Sequence, residues 1–240
     1  MPSGEELTRF ALELERSGGR GLLLSGGCDS RGKVPLAGHL PAVRRIKSST
    51  GLEVNVHTGL MDSEAEARAL VDSGADCFSV DIVQDEALIR KVMHLDRAPD
   101  DYRRTLRLLF DAGAKRVAPH VCVGTSQDPE AETRAIRMVS EFPVSAIILL
   151  SFLPAKGTPM ERNAVASDER MLSAVRLAVA EVQAPVLLGC MRPRGNWELE
   201  VECLFAGVAG IAIPARRTVL WAEQSSYTVE WREGCCALHR

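Results

Sequence analysis

The sequence predicts an α/β fold in which seven parallel strands form a (β/α) barrel of the TIM type. Short apolar runs that end in polar, glycine or proline residues recur along the 240 residues, and segments with helical periodicity lie between them. This alternation implies a parallel sheet with right-handed crossovers. The functional residues of such a barrel lie at the carboxyl ends of its strands.

The predicted strands follow the apolar runs, in chain order, at residues 21–25, 53–58, 77–81, 116–124, 144–152, 185–191 and 210–214. Helices are predicted where apolar residues recur at three- and four-residue intervals, and several carry acidic residues in the first turn. They cover residues 5–16, 40–48, 63–73, 100–112, 129–141, 168–182 and 199–206. We expect one barrel domain at residues 1–220 and a carboxyl-terminal tail at residues 221–240.

Bulk composition argues against two classes of partner. The chain is 46% hydrophobic with a formal net charge of −3, and its basic residues are scattered, which gives no face for nucleic acid. The longest apolar run, around residues 144–153, is too short to span a bilayer, and the amino terminus lacks a signal peptide. The sequence therefore predicts a cytoplasmic protein that binds neither nucleic acid nor membrane.

The segment Ser25-Gly26-Gly27-Cys28-Asp29 closes the first predicted strand and is the strongest local signal for a binding site. Its two glycines let a ligand approach backbone N–H groups, while the serine and the aspartate supply side chains at the same rim. An ordinary turn between a strand and a helix also contains glycine. The choice between these interpretations depends on the neighbouring strands.

Side-chain alternation places four further polar groups inside the barrel. Asn55 and His57 share one face of the second strand, because successive side chains of a strand point to opposite faces. By the same alternation, Asp81 and His120 point inward from the third and fourth strands. A single buried histidine is more often a satisfied core residue. Convergence from three strand ends indicates a site instead.

The cysteine pattern indicates reduced thiols and one candidate metal-binding pair. Seven cysteines in a cytoplasmic chain are expected to be reduced. Cys235 and Cys236 form a vicinal pair after a glycine in the tail, and adjacent thiolates suit a soft metal or an iron–sulfur cluster. The cysteine and histidine spacings typical of zinc sites are absent, so zinc is not expected.

Four segments carry a resemblance to a known family. Residues 24–36, which include Ser25-Gly26-Gly27, resemble the family's sequence over an unusually long stretch. The segment Asn55-Val56-His57-Thr58 resembles the family's Asn-x-Asp-Thr strand, with His57 in place of the acid. Lys156-Gly157-Thr158-Pro159-Met160 and residues 189–195 add two further matching strand ends. Together they resemble radical SAM enzymes of the biotin synthase and lipoyl synthase type, and most of all the biotin-synthase-like half of the archaeal two-component lipoyl synthase.

The resemblance implies roles for the residues at the barrel mouth. Ser25, Gly26 and Gly27, with Asp29 at the same rim, would hold the methionyl group of S-adenosylmethionine. Asn55 and His57 would lie on the ribose side. The implied catalytic residues, which would bind substrate or cofactor carboxylates, are Asp81, His120 and Arg192.

The resemblance also implies cofactors and partners. A [4Fe–4S] cluster would cleave S-adenosylmethionine reductively, and the resulting 5′-deoxyadenosyl radical would abstract hydrogen during sulfur insertion or a related C–H activation. Cys235 and Cys236 would hold an auxiliary iron–sulfur cluster. The substrate would be a small molecule or a lipoyl-domain-type protein, and the partner a second radical SAM subunit or an electron-donor protein.

The CxxxCxxC motif that binds the radical SAM cluster does not occur in these 240 residues. By comparison with the family, the first strand and the cluster loop are expected to be missing. Truncation, supply by a separate polypeptide and loss of the chemistry each explain this, and the retained strand-end residues favour truncation or a misassigned start.

Two other functions stay open from the sequence. One is a conventional barrel lyase or aldolase, in which Lys156 forms a Schiff base, or Arg192 and Arg194 bind a phosphate. The position of Lys156 in a loop after Pro154 weakens this alternative. The other is a degenerate, non-catalytic barrel that acts as a partner subunit.

Overall fold

Seven parallel strands form one curled sheet in the computed structural model, which describes residues 3–225 and 227–238. The strands are β1 (Gly21–Leu24), β2 (Glu53–His57), β3 (Cys77–Asp81), β4 (Val117–Val123), β5 (Ile147–Ser151), β6 (Val186–Leu188) and β7 (Gly210–Ile211). Each strand pairs with the next in the chain, so all carboxyl ends lie at one edge. Within the described residues β7 does not pair with β1, and the sheet is an open half-barrel. The predicted α/β barrel with seven parallel strands is confirmed.

The described residues form eight α-helices: α1 (Gly4–Arg16), α2 (Leu40–Ser49), α3 (Glu64–Val71), α4 (Pro99–Asp111), α5 (Ala131–Ser140), α6 (Asp168–Glu181), α7 (Trp197–Phe205) and α8 (Arg216–Gln224). Helices α2 to α7 connect successive strands, while α1 precedes β1 and α8 follows β7. Several begin where the sequence offers a capping side chain. Ser3, Ser63 and Ser167 each accept a hydrogen bond from a backbone N–H group in the first turn of α1, α3 and α6. None of the helices in the described part of the chain has the length and apolar character needed to cross a bilayer.

Helix α8 was not predicted, and it runs through the expected boundary at residues 220 and 221. The tail therefore starts after Gln224 in the structure. Its Ser226, His239 and Arg240 lie outside the described residues. The described part of the tail has no regular structure until a short 3₁₀ turn, Cys236–Leu238.

The sheet separates two apolar layers. The larger layer packs the outer face of the sheet against the helices and includes Val54, Val56 and Phe78. The inner layer lies on the concave face, where the tail residues Ala237 and Leu238 are buried against residues from the amino-terminal halves of the strands, such as Cys77, Ala118 and Ile148. The carboxyl-terminal tail thus fills the base of the half-barrel.

Candidate functional site

Three titratable side chains meet on the concave face near the mouth of the half-barrel. His57 ends β2, Asp81 ends β3, and His120 lies in β4 directly beside Asp81 in the strand register. One ligand atom from each lies within 4.8 Å of the other two. His57 Nε2 is 3.3 Å from an Asp81 carboxylate oxygen, and the two imidazole rings are 5.6 Å apart between centroids. The inward convergence predicted from side-chain alternation is present in the structure.

The electrostatics of this group follow from its contacts. Burial disfavours the charged form of His57, but the hydrogen bond and the charge of Asp81 outweigh it and raise the pKa of His57. Burial likewise opposes ionisation of Asp81, and the same contact with His57 nevertheless lowers the pKa of Asp81. His120 behaves differently, because burial lowers the pKa of His120 to about 4. At neutral pH, His120 is therefore uncharged and Asp81 is ionised.

The tautomer of His120 follows from its second contact. Its Nδ1 lies 3.0 Å from the carbonyl oxygen of Ala118. A carbonyl oxygen accepts hydrogen bonds and donates none, so Nδ1 of the neutral ring carries the proton. The lone pair of Nε2 is then free to accept a proton or bind a metal.

The turn after β1 forms one wall of a cleft at this mouth. The cleft has a volume of about 320 Å³, and Ser25, Gly26 and Cys28 line it together with His57 and Asp81. It brings the glycine turn and two of the three converging groups to one concave surface.

Gly26 and Gly27 leave their backbone open toward solvent. Neither has a positive φ angle, so their conformation does not require glycine. A Cβ atom added at Gly27 would meet no atom within 4 Å. Among the described residues, the N–H and C=O groups of Gly26 and Gly27 make no hydrogen bond. The free groups and the missing side chains leave space for a ligand against the backbone.

Asp29 stabilises the loop and does not line the cleft. Its carboxylate accepts hydrogen bonds from the backbone N–H groups of Arg31 at 2.8 Å and of Lys33 at 3.0 Å. The bond from Lys33, with smaller contributions from Arg31, lowers the pKa of Asp29. The sequence predicted that Asp29 contacts the cofactor, whereas in the structure its carboxylate binds the backbone of its own loop.

Ion pairs hold this loop against the turn after β2. Asp62 pairs with Arg31, with Lys33 at 2.8 Å and with Arg97 at 2.8 Å, and Lys33 also reaches Glu66 at 2.5 Å. Lys33 and Arg97 are mostly shielded from solvent, whereas Arg31 is exposed. The network fixes the position of the cleft wall that follows Ser25.

The tail covers Asn55, which the sequence placed in the cofactor site. Asn55 is 1% exposed; its Oδ1 accepts from the Ser79 hydroxyl at 2.9 Å, and its Nδ2 lies 3.5 Å from Cys235 Sγ. Its side chain does not line the cleft. The structure brings His57 to the cleft but places Asn55 beneath the tail.

Cys235 and Cys236 lie on the concave face, as predicted for the tail. The Cys236 thiol donates a hydrogen bond to the Cys235 sulfur, which lowers the pKa of Cys235 and raises the pKa of Cys236. The backbone N–H of Cys190 contacts Cys236. Within the described residues, however, no third cysteine, histidine or acidic ligand atom completes a metal-sized group with this pair.

Arg192, expected to bind a substrate or cofactor carboxylate, forms a buried ion pair in the structure. Its guanidinium is 5% exposed and pairs with Glu200 at 2.6 Å, while its two Nη groups also donate to the carbonyl oxygens of Gly189, Ala212 and Ile213. These contacts occupy the groups that would bind a carboxylate. Arg192 joins the strand ends to α7 and is not part of the group around His57.

Tyr102 belongs to the cleft although the sequence did not indicate it. It lies in α4, is 3% exposed and lines the cleft, and its hydroxyl has no hydrogen-bond partner among the described residues. Burial, with the nearby charge of Asp81, raises the pKa of Tyr102. A buried tyrosine hydroxyl normally finds a partner. The unpaired hydroxyl therefore indicates a position where a ligand can donate or accept a hydrogen bond.

Known proteins share this architecture. No family model matches the chain. It is 25% identical over 212 residues to an uncharacterised protein of Methanocaldococcus jannaschii, and the alignment covers 87% of this chain and 54% of that protein. Among solved structures, methylornithine synthase (PylB) gives a TM-score of 0.62 at 21% identity, covering 86% of this chain and 60% of that one.

The maturase HydG of the FeFe-hydrogenase, from Carboxydothermus hydrogenoformans, gives a TM-score of 0.65 at 16% identity and covers 90% of this chain and 52% of that one. The chain shares its fold with these two proteins. It spans roughly half the length of the curated relative and of HydG.

Proposed function

We propose that the cleft binds S-adenosylmethionine and that the protein acts as a radical SAM enzyme of the biotin synthase and lipoyl synthase type. The observation that carries the proposal is the unpaired backbone of the Gly26-Gly27 turn, in which Gly26 lines the cleft together with His57. The fold is one shared with radical SAM enzymes. The reaction class we propose is sulfur insertion or a related C–H activation.

The chemistry of the cleft fits the two ends of this cofactor. The free C=O and N–H groups of Gly26 and Gly27 can bind the amino and carboxylate groups of the methionyl end. His57 and Asp81 offer a donor and an acceptor for ribose hydroxyls, and both side chains line the cleft. We assign no cofactor contact to Asn55, because the tail covers its side chain in this structure.

The described residues do not fit a [4Fe–4S] cluster, so we derive no step through one. The sequence lacks CxxxCxxC, and in the described residues no three cysteine sulfurs converge. We propose that the cluster comes from polypeptide outside these 240 residues, either in the same protein or in a second subunit. S-adenosylmethionine would supply the chemistry of hydrogen abstraction once that cluster had cleaved it reductively, and the role we propose for this barrel is to bind and orient the cofactor and a small-molecule or lipoyl-domain-type substrate.

Calorimetry of S-adenosylmethionine binding tests the proposal with a matched pair of glycine variants. Gly27→Val places a branched side chain where the ligand approaches the backbone, and we expect it to abolish or strongly weaken binding. Gly38→Val is the control, because Gly38 also lacks both a positive φ and any atom within 4 Å of an added Cβ. Gly27 lies between the cleft-lining residues Gly26 and Cys28, whereas Gly38 lies in the short helical turn before α2. Equal affinity of the two variants, or no binding by the unmodified protein, would contradict the proposal.

The lyase alternative has little support in the geometry. Lys156 is exposed in the loop between β5 and α6, outside the buried environment that Schiff-base lysines use. Arg192 is engaged by Glu200, so a phosphate site with Arg194 loses its main ligand. The non-catalytic alternative is tested by the same binding experiment.

A further inference from the structure

The three groups at the barrel mouth form a ligand set of their own. His57, Asp81 and His120 come from three adjacent strands, 24 and 39 residues apart in sequence, which is why no short motif revealed them. In the described part of the chain they are the one group of at least three potential metal-ligating side chains whose ligand atoms lie within 4.8 Å of each other.

The spacing matches that of a single metal ion. Nitrogen and oxygen ligands of zinc lie about 2.0–2.2 Å from the metal, so two ligands of one ion are separated by at most about 4.4 Å. His57 Nε2 and the Asp81 carboxylate, 3.3 Å apart, already have the separation of neighbouring ligands. The third ligand atom lies within 4.8 Å of the other two, so it would need to move only slightly to share the same ion.

The orientation of His120 is that of a metal ligand. Metal-binding histidines commonly donate their other ring N–H to a carbonyl or carboxylate, which fixes the ring and its tautomer. The Nδ1 of His120 makes this contact with the carbonyl oxygen of Ala118 at 3.0 Å. Its Nε2 is thereby presented as a lone-pair donor.

A second observation points to a ligand in the same place. Tyr102, which is 3% exposed, lines the cleft, and its buried hydroxyl has no hydrogen-bond partner in the described structure. Three protein ligands leave coordination positions open, and two of the three, His57 and Asp81, line the cleft. A water or a substrate oxygen in such a position can pair with the tyrosine hydroxyl.

We infer that His57, Asp81 and His120 bind one divalent transition-metal ion, whose open positions take an oxygen-bearing ligand such as a carboxylate. Two imidazoles and one carboxylate favour zinc, iron(II) or cobalt(II) over magnesium and calcium. The ion also resolves a problem of charge. An ionised aspartate repels a substrate carboxylate, whereas a divalent cation held by it attracts one. The inference does not require S-adenosylmethionine to bind, but His57 and Asp81 would then hold the metal instead of contacting the ribose hydroxyls directly.

Metal binding is measured with cobalt(II) and zinc(II) on the full chain after removal of bound metal by a chelator, and without S-adenosylmethionine. Cobalt absorption in the visible range reports the ligand set, and zinc calorimetry gives stoichiometry and affinity. We expect one equivalent to bind. Asp81→Asn and His120→Gln should each raise the dissociation constant at least about tenfold, since loss of even an outer-shell contact costs about 10–100-fold.

Two controls separate this site from other ligands. His94→Asn removes an exposed imidazole whose backbone φ of 55° suits asparagine, and should leave binding unchanged. The double variant Cys235→Ser, Cys236→Ser removes the thiol pair and should also leave it unchanged. If His120→Gln does not fold, as judged by circular dichroism, His57→Gln takes its place. Absent binding, unchanged affinity in Asp81→Asn, or loss of binding with the cysteine pair would overturn the inference.

Discussion

Replacing Arg192 by methionine should destabilise the fold, because the structure makes Arg192 a buried structural residue. The change keeps most of the side-chain volume and removes the guanidinium. Glu200, which is 2% exposed, would lose its charged partner at 2.6 Å. It would keep two donors, the Ala215 N–H at 2.8 Å and the Thr218 hydroxyl.

The size of the effect follows from the uncompensated charge. Removing one member of a buried ion pair costs about 3–5 kcal/mol. Because Glu200 retains two hydrogen-bond donors, we expect a loss of about 3 kcal/mol in the free energy of unfolding. For a domain of this size each kcal/mol corresponds to about 2–4 °C, which gives a fall of about 6–12 °C in Tm.

Urea denaturation followed by circular dichroism measures this change. Arg194→Met is the control, because Arg194 is exposed and makes a single 3.2 Å bond to Ile213; it should stay within about 0.5 kcal/mol. The double variant Arg192→Met, Glu200→Gln removes the buried charge and should recover part of the loss. If Arg192→Met and Arg194→Met have the same stability, the structural role of Arg192 is refuted, and Arg192 is again a candidate for binding a substrate or cofactor carboxylate.

Two further predictions concern the tail and the buried imidazole. Leu238→Ala should lower the free energy of unfolding by about 2–3 kcal/mol, which is toward the low end for buried leucines because the chain end can relax. Leu220→Ala is the control, because Leu220 is exposed and its replacement should change the free energy of unfolding little. Equal losses for the two variants in urea denaturation would show that the tail does not fill the barrel. His120 has a pKa of about 4 in the folded protein against about 6.5 when unfolded, so its neutral form contributes stability above pH 6.5 that is lost as the pH falls toward 4. As the pH falls from 6.5 to 4, the wild-type protein should therefore lose stability relative to His120→Gln, and both proteins retain His57 and Asp81. A difference in the free energy of unfolding between the two proteins that does not vary with pH would contradict the burial of a neutral ring.

The sequence was sufficient for those features that depend on short-range pattern. Side-chain alternation in β2, β3 and β4 placed His57, Asp81 and His120 on one face, because a parallel sheet in chain order aligns successive strand ends. Helix α8 was missed because few of its residues are buried, which gives a weak apolar period.

The positions of Asn55 and Arg192 differ from expectation because they depend on contacts that side-chain alternation within a strand does not describe. Asn55 lies under Cys235, 180 residues away, and no local pattern reveals the path of an irregular tail. Arg192 pairs with Glu200 across a loop, and its position near a strand end could not distinguish a buried ion pair from an anion site. Tyr102 carried one usable signal, since a tyrosine among the buried positions of an amphipathic helix needs a hydrogen-bond partner.

The central claim is that S-adenosylmethionine binds in the cleft between the glycine turn and His57. A crystal structure of the protein grown with this ligand, at a concentration that calorimetry shows to be saturating, tests the claim most directly. We predict density for the methionyl end against Gly26 and Gly27 and for the ribose beside His57. A cleft without ligand at saturation, or a ligand bound elsewhere on the barrel, would contradict the account.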